Sequence, residues 1–195
     1  MIEVEMLTEK PLYVMHDVGC VTMGKRAKHN RPETHEEARD YYVKMFISEH
    51  SLIEWPKFRV TDMECRGDVA SHFVRHSKGS PRPAVQSSRP DWNNGESRKA
   101  LDKTFIGYTE MWDAWSWIHM CRQRLCNRAS EIDRAWLRVV LDVMKTSNDP
   151  FFEALEMCCV PNCVYRGYCP ELKSCGKAPG YKNILNRYSE YKNKQ

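Results

Sequence analysis

The stretch from Ser71 to Trp92, SHFVRHSKGSPRPAVQSSRPDW, contains side chains of the types that bind phosphate. Arginine presents forked donors to a phosphate, serine hydroxyls add further donors, and glycine lets the backbone approach closely. These groups are Arg75, His76, Lys78, Gly79, Ser87, Ser88 and Arg89. A solvated basic loop stiffened by prolines accounts for the same composition equally well. Neither G-x-G-x-x-G nor G-K-[ST] surrounds Gly79, so no dinucleotide or Walker fingerprint is present.

The segment YTEMWDAWSWIHMCRQRLC predicts a helix in which a cation interrupts an apolar face. Helical spacing places Arg122 in one stripe with Met111, Trp115, Ile118 and Leu125. An unpaired guanidinium is very costly to bury, so Arg122 must meet a carboxylate, a phosphate or a polar ligand. Spacing alone leaves both a structural ion pair and a ligand contact open.

The tail after Met157 is rich in cysteine, proline and glycine. Three, five and five residues separate its candidate zinc ligands, which are Cys159, Cys163, Cys169 and Cys175. Four thiolates suit tetrahedral zinc, but no C-x-x-C pair is present, so free thiols packed in a small appendage remain the alternative. The odd total of nine cysteines indicates reduced thiols or metal ligands rather than disulfides. Free core thiols are expected at Cys20, Cys65, Cys121 and Cys126.

The elements that must position these groups begin with strands. The alternating MIEVEML predicts a half-buried strand, and EWPKFRVTDMEC predicts a second strand entered after Pro56. Between them, THEEARDYYVKMFISEH predicts a helix, because Thr34 and Glu37 have capping-box spacing. The segment DVASHFV, which leads into the stretch 71–92, is consistent either with a short helix or with the end of a strand at Phe73 and Val74.

The second half of the chain, from about residue 97 to 156, has helical spacing almost throughout. In ASEIDRAWLRVVLDVMK the apolar stripe consists of Ile132, Ala135, Trp136, Val139, Val140 and Val143. Strands followed by helices, without a repeated β-α alternation, predict an α+β fold. The division is expected at residue 157, with one domain over 1–157 and a Cys-rich tail over 158–195.

Composition excludes some classes of protein. The 195 residues suffice for one core with appendages, and the formal charge of +4 comes from basic residues interleaved with acids, which does not indicate nucleic acid. The sequence contains no run of about 18 apolar residues, so no membrane-spanning segment is expected. The acidic start MIEVEMLTEK does not look like a signal peptide, so a cytoplasmic location is expected.

Several motifs in one order resemble the flavin-dependent thymidylate synthases, the ThyX family. Arg75-His76 and Ser87-Ser88-Arg89 match the two ends of the pattern R-H-R-x-x-S-x-N-E-x-S-x-R-Y, with two extra residues between them. Upstream, EHSLIEW is similar to G-H-x-S-x-x-E-H. Downstream, MCRQRLCNRASEI resembles N-L-R-x-x-x-x-A-Q-x-E-I, SRKAL resembles A-R-x-x-L-P, and DPFFEAL resembles P-x-x-F-E-A-F. The resemblance covers roughly residues 1–157.

The resemblance implies a ThyX-like mixed sheet packed with long helices, in a homotetramer with sites between subunits. It implies FAD as the cofactor, with NADPH and methylenetetrahydrofolate as co-substrates in C5 methylation of dUMP. Arg122 takes the place of the arginine held against the pyrimidine, as the catalytic residue. The flavin-binding positions are Ser51, Arg75, His76 and Ser77, and the substrate-binding positions are His72, Ser87, Ser88, Arg89 and Arg98.

The chain departs from the family pattern where a base would be read. Ser77 replaces the third residue of R-H-R, Ala84 and Val85 fill the place of N-E, Pro90 replaces the final Tyr, and His72 replaces a Gln. These changes leave open another nucleotide such as dCMP, transfer of a hydroxymethyl group, or a protein that has lost catalysis. A nucleic-acid-binding module with a zinc-bound tail is a rival from another class, since a basic loop and aromatic side chains could hold bases.

Overall fold

A computed structural model of the chain describes residues 1–25, 31–76, 84–85, 105–180 and 183–194. Its four-stranded sheet is antiparallel throughout and has the order β1-β2-β4-β3. The strands are β1 (Ile2–Met6), β2 (Lys57–Arg66), β3 (Ala84–Val85) and β4 (Phe105–Asp113). An antiparallel sheet with many helices agrees with the predicted α+β class, and the more specific ThyX-like architecture stays a prediction.

The described segments contain eight α-helices and two short 3-10 helices. The α-helices are α1 (Pro11–Thr22), α2 (His35–Ile47), α3 (Gly67–Phe73), α4 (Ala114–Arg124), α5 (Glu131–Lys145), α6 (Pro150–Cys158), α7 (Asn162–Arg166) and α8 (Ile184–Lys192). The 3-10 helices are Ser51–Glu54 and Val74–His76. None of the helices in these segments is both long and apolar enough to cross a membrane.

The first two predicted strands and the capped helix are confirmed. β1 exposes Glu3 and Glu5 and turns its apolar residues inward, as its alternation predicts. At the start of α2, Glu37 N–H donates to the Thr34 hydroxyl at 3.2 Å, and Thr34 N–H donates to the Glu37 carboxylate at 3.1 Å. These reciprocal bonds satisfy two amides that an uncapped helix leaves unpaired.

The structure decides one open alternative and contradicts one prediction about local structure. Phe73 ends helix α3, which is the helical alternative for DVASHFV and not the strand end, and its side chain is fully buried. Residues 105–113, expected to be helical, form β4, whose alternate residues from Ile106 to Trp112 face the core. The buried positions include Glu110, and a carboxylate within that set disguises the two-residue period of the strand.

The predicted stripe of α5 has the wrong rotation about the helix axis. Ile132 is 39% exposed and Val139 is 50% exposed, so neither belongs to the core. The buried side chains of α5 are Asp133, Leu137, Val140, Leu141 and Met144. The observed face therefore includes a carboxylate, which hydrophobic spacing does not select.

One face of the sheet packs on the helices through aromatic side chains. Phe58 of β2 lies 5.7 Å from Trp117 of α4 and 6.0 Å from Phe151 of α6, measured between ring centroids. Trp112 of β4 contacts Trp117 at 5.2 Å. These contacts hold α4 against the sheet. The C-terminal end of α4 lies close to α3 and α5.

The cysteine-rich tail packs on the rest of the chain. Helix α7 contacts α4, and α8 contacts α6. Lys192 Nζ donates to the backbone carbonyl of Glu156 at 2.6 Å, which ties α8 to α6. The division into domains at residue 157 stays a prediction.

Candidate functional site

Three helix ends meet beside the first residues of the stretch 71–92. The end of α3 carries His72, and the 3-10 helix that follows carries His76. Helix α4 ends at Arg124, and α5 carries Asp133 in its first turn. We name these four residues the Arg124 cluster.

Asp133 lies at the centre of the Arg124 cluster. Nδ1 of His72 is 3.0 Å from each carboxylate oxygen of Asp133, and Nη1 of Arg124 donates to Oδ2 at 3.3 Å. Arg124 also donates from Nε to Nε2 of His76 at 2.9 Å and from Nη2 to the backbone carbonyl of His72 at 3.3 Å. One guanidinium therefore joins α3, α4 and α5.

The members of the Arg124 cluster differ in exposure. The Asp133 side chain is 1% exposed, whereas the side chains of His72 and Arg124 are 36% and 21% exposed. A buried carboxylate is tolerated only when it is paired, and these two side chains supply its partners. Nε2 of His76 accepts a hydrogen bond and so carries no proton. A polar or anionic ligand would approach the cluster from the side of His72 and Arg124.

Neighbouring contacts hold the elements of the Arg124 cluster in place. Asp113 caps α4 by accepting a hydrogen bond from Ser116 N–H at 2.8 Å. On α5, Trp136 donates from Nε1 to Asp62 of β2 at 2.8 Å, and its ring lies 4.7 Å from that of Phe73. Helix α5 is thereby fixed to both the sheet and α3, so the backbone that carries Asp133 is held in place.

Several residues predicted from the sequence lie outside the described part of the chain. These are Ser77, Ser87, Ser88, Arg89 and Arg98, and their roles stay predictions. Within the same stretch, Ala84 and Val85 pair with Thr109 and Tyr108 of β4.

The other predicted flavin-binding residues fall in two places. Arg75 lies between His72 and His76 and is exposed. Ser51 begins the 3-10 helix Ser51–Glu54, is also exposed, and precedes the buried pair Leu52 and Ile53. No hydrogen bond among the described residues joins Ser51 to the Arg124 cluster, although the 3-10 helix that it begins contacts α4, and its role stays a prediction.

Arg122 occupies a different environment from Arg124. It is 4% exposed, and its Nη1 donates to the carboxylate of Glu49, which follows α2 in a left-handed conformation with φ of 52°. The ring of Tyr165 on α7 covers the guanidinium, with Cζ 3.5 Å from the ring centroid. We name these three residues the Arg122 cluster.

The ion pair in the Arg122 cluster shifts the titration of its acid. Burial alone raises the pKa of the Glu49 carboxyl, but the hydrogen bond and charge of Arg122 outweigh it, and the pKa falls below its ordinary value. Nε of Arg122 has no hydrogen-bond partner among the described residues. The Tyr188 hydroxyl lies close enough to the guanidinium to interact with it, although no hydrogen bond of regular geometry joins the two groups.

Sequence reasoning missed Arg124 and Asp133 as members of a site. The family pattern R-x-x-x-x-A places its arginine five residues before the alanine, and Arg124 has that spacing to Ala129, whereas Arg122 lies seven residues before it. That count was the available signal for Arg124. Asp133 had no such signal, because an acid in the first turn of a helix is ordinarily an exposed partner of the helix dipole. The catalytic role of Arg122 stays a prediction.

A second buried carboxyl lies in the core beneath α5. Glu110 of β4 is 2% exposed and accepts a hydrogen bond from the hydroxyl of Tyr108. Its Oε1 has no partner within the described segments. Burial raises the pKa of Glu110 to about 7, against the opposing effect of the Tyr108 hydrogen bond. The Tyr108 ring lies 5.9 Å from that of Trp136, which places this pair behind the helix that carries Asp133.

The structure separates the predicted zinc ligands. Cys159 is completely buried and lies against Cys121 of α4. The other three line a cavity of about 590 Å³ together with a cysteine that was expected to be a core thiol. We name Cys126, Cys163, Cys169 and Cys175 the four-cysteine cluster. Across the described residues, no three His, Cys, Asp or Glu side chains already stand at the spacing of a formed metal site.

Comparison with known proteins gives a likeness in fold. No protein-family model matches the chain, and no curated protein matches its sequence. Among solved structures, the chain is similar to a crystal structure of a UMP/dUMP methylase, PolB from Streptomyces cacaoi, bound with 5-Br dUMP. The two share 12% sequence identity with a TM-score of 0.54, over 79% of this chain and 94% of the other.

Proposed function

We propose that the chain is an enzyme that methylates a pyrimidine deoxynucleotide at C5, of the dUMP-to-dTMP type. The observation that carries the proposal is the Arg124 cluster, a partly exposed arginine and imidazole held by a buried carboxylate. The cluster lies at the start of the stretch that resembles the flavin-dependent thymidylate synthase signature. The fold is also shared with a UMP/dUMP methylase.

Arg124, rather than Arg122, is the arginine placed against the pyrimidine in this proposal. Removing the N3 proton from the base leaves negative charge on the ring, which makes C5 nucleophilic, and a fixed guanidinium stabilises that charge. Asp133 accepts a hydrogen bond from only one of the five N–H groups of Arg124, so it holds the guanidinium without occupying all of its donors. The ring of Tyr165 covers the face of the Arg122 guanidinium that a pyrimidine base would have to contact.

His72 and His76 take different parts in the same proposal. Asp133 fixes the ring of His72 through Nδ1, which leaves Nε2 to contact a substrate carbonyl or amino group. His76 accepts from Arg124 and so orients the guanidinium as well as the loop that follows. Both are positioned before a ligand arrives, which lowers the cost of ordering the site.

The residues present fit an anionic cofactor such as FAD. Arg75 is an exposed cation next to His76, and charge-assisted hydrogen bonds from such a group suit a pyrophosphate. Arg75, His76, Ser77 and Ser51 would hold the flavin, and Ser87, Ser88, Arg89 and Arg98 would hold the substrate phosphate. When bound, FAD that NADPH has reduced would supply the hydride, and methylenetetrahydrofolate would supply the one-carbon unit. A homotetramer would complete the sites between subunits.

A second candidate is the same chemistry on another base, such as dCMP, or transfer of a hydroxymethyl group. It is favoured by His72, which stands where the family pattern has Gln. An imidazole tethered to Asp133 presents one nitrogen to the ligand, whereas an amide presents both a donor and an acceptor. The hydrogen bonds offered to the base are therefore different.

The proposal is tested in two steps on the full chain. The purified protein, with FAD added, should show flavin absorbance, and its absence would contradict the flavin-dependent mechanism. With FAD, NADPH and methylenetetrahydrofolate, tritium should be released from C5-labelled dUMP or dCMP. Arg124→Lys should lose release, while Arg138→Ala, which removes an exposed cation from α5, should keep it. A flavin-loaded protein that is inactive on both nucleotides would favour the protein that has lost catalysis.

A further inference from the structure

The nine cysteines fall into two groups by exposure, and only one group shares a cavity. Cys20, Cys65, Cys121, Cys158 and Cys159 are buried, and the members of the four-cysteine cluster are half-buried. All four line the cavity of about 590 Å³ between the α4–α5 turn and the tail. Cysteines that only fill space in a core have no reason to lie next to one another, because a buried cysteine packs as a small apolar residue.

Hydrogen-bond donors are directed at the sulfur atoms of the four-cysteine cluster. Arg128 N–H donates to Cys126 Sγ at 3.5 Å, and Asn127 Nδ2 approaches Cys175 Sγ at 4.0 Å. The Ser174 hydroxyl and the backbone amides of Glu171 and Cys175 donate hydrogen bonds to the sulfur of Cys169. Such donors stabilise thiolates and orient metal-binding sulfurs.

The thiols of the cluster are neighbours. Cys126, Cys169 and Cys175 all lie close enough to Cys163 to interact with its thiol, and all four line the same cavity. Because soft thiolate ligands select metals such as Zn²⁺, a divalent zinc ion matches both the number and the type of these ligands.

We propose that Cys126, Cys163, Cys169 and Cys175 bind one structural Zn²⁺. Four zinc–sulfur bonds form and four thiol protons pass to solvent, with no change of oxidation state. This ligand set differs from the one predicted from sequence spacing in one residue: Cys126, which follows the end of α4, replaces Cys159.

Binding requires the sulfurs to move closer together than they stand. The segment that can move is the mostly exposed chain over residues 171–180, which has no helix or strand. Gly176 follows Cys175 directly and has a φ of 74°, in the left-handed region that favours glycine. No atom lies within 4 Å of the position where a Cβ of residue 176 would stand, so this part of the tail is loosely packed.

The proposed zinc site would join the tail to the turn that carries the Arg124 cluster. Cys126 lies two residues after Arg124, and three of the four ligands belong to the tail. Arg134 braces the same turn by donating to the backbone carbonyls of Cys126, at 3.2 Å, and Ala129. The metal would act as a structural link between the tail and the α4–α5 turn, whatever reaction the chain catalyses.

The test measures zinc in the full chain purified without chelator, by elemental analysis after gel filtration. We expect close to one zinc per chain in the wild type and in Cys159→Ala, and a fall of about tenfold or more in Cys126→Ala. A wild type without zinc would overturn the proposal. So would a Cys126→Ala variant that keeps zinc while Cys159→Ala loses it, because that result restores the ligand set chosen by spacing.

A measurement on the wild type keeps the proposal testable if the variants do not fold. Cobalt added to the reduced, chelator-treated chain should give the intense thiolate-to-metal absorption of tetrahedral sulfur coordination, and zinc should abolish it. Thiol titration should find four protected cysteines that chelator releases. Disulfides between members of the four-cysteine cluster, or a coloured iron cluster in the purified chain, would contradict a zinc site.

Discussion

Arg122 and Arg124 stand two residues apart at the end of one helix and lie in contrasting environments. Two helical steps rotate a side chain by about 200°, so the two guanidinium groups leave α4 on nearly opposite sides. Arg122 meets Glu49 and is covered by the ring of Tyr165. Arg124 keeps partial exposure and meets the carboxylate and two histidines of its cluster. Residue type is the same, and helix rotation decides which arginine can reach a ligand.

The difference shows how a buried cation can be mistaken for a catalytic one. An arginine within an apolar stripe demands a partner, but a protein carboxylate and an aromatic face satisfy that demand as well as a substrate does. The Arg124 cluster has the opposite feature, a buried acid paired with a partly exposed arginine and a partly exposed imidazole. For an anionic substrate, the second arrangement leaves positive charge accessible.

The largest expected effect comes from Arg124→Ala. If Arg124 stabilises charge on the base, turnover should fall on the order of 10²–10³-fold. Asp133→Asn should lower turnover less, because it weakens the positioning of Arg124 and leaves the guanidinium in place. Single-turnover tritium release from labelled nucleotide measures both. If Arg124→Ala kept normal turnover while Arg122→Ala abolished it in a folded protein, the roles proposed for the two arginines would have to be exchanged.

Glu110 should give a pH dependence opposite in sign to that of Glu49. The folded state holds the Glu110 proton up to about pH 7, whereas the unfolded carboxyl loses it near 4.5, so the free energy of unfolding should fall between these values. The shift corresponds to roughly 3 kcal/mol. Urea unfolding of wild type and Glu110→Gln at pH 5 and pH 8 measures it.

The outcome for Glu110→Gln is a difference that changes with pH. Gln cannot ionise, so this variant should gain stability relative to the wild type as pH rises through that window. Glu49, whose pKa is lowered, should instead stabilise the fold above its unfolded pKa and lose that contribution in acid. A constant difference between Glu110→Gln and wild type would contradict a buried, protonated Glu110.

Arg122→Met tests the structural role of the Arg122 cluster. Removing one partner of a fully buried ion pair costs roughly 3–5 kcal/mol, and the 27% exposure of the Glu49 side chain reduces the expected loss to about 2 kcal/mol. The measurement is the urea midpoint at constant slope. The double variant Arg122→Met/Glu49→Gln should recover part of the loss, since no charge is left unpaired. Equal losses in the single and double variants would show that the pair is not coupled.

The smallest effect is expected at the ring that covers Arg122. Tyr165→Leu removes the cation–π contact and should cost about 1 kcal/mol more than Tyr165→Phe, which keeps the ring and loses only the hydroxyl. Thermal unfolding of both variants, alone and on the Arg122→Met background, measures the coupling. The difference between Leu and Phe should vanish once Arg122 is gone.

Local sequence signals predicted those parts of the fold that local interactions decide. The capping box of Thr34 and Glu37 and the alternation of β1 need only neighbouring residues, and both are present. β4 and the face of α5 depend on which polar side chains the core accepts. Asp133 is buried because His72, 61 residues away in sequence, and Arg124, nine residues away, satisfy it, and hydrophobic spacing contains no information about such partners.

The candidate site shows the same division. His72 and His76 were selected from the sequence because they belong to one contiguous motif; the structure brings them together around Arg124 and Asp133, and their roles stay predictions. Arg124 could have been found by counting to Ala129, while Asp133 needed the three-dimensional structure. Cys126 was assigned to the core because it lies 37 residues before Cys163, a distance in sequence that the folded tail removes.

The late position of Tyr165 in the chain has a consequence during synthesis. Every residue of the Arg124 cluster has been translated by residue 133, whereas the cover of Arg122 arrives only with α7, and Tyr188 later still. Because a nascent chain folds as it emerges, the Arg124 cluster can assemble while the Arg122–Glu49 pair is still open to water. A chain terminated before Tyr165 would retain its candidate site and expose an unfinished apolar surface on α4 and α6. Packing of α7 and α8 on α4 and α6 therefore covers apolar surface that proteases and chaperones recognise when it is exposed.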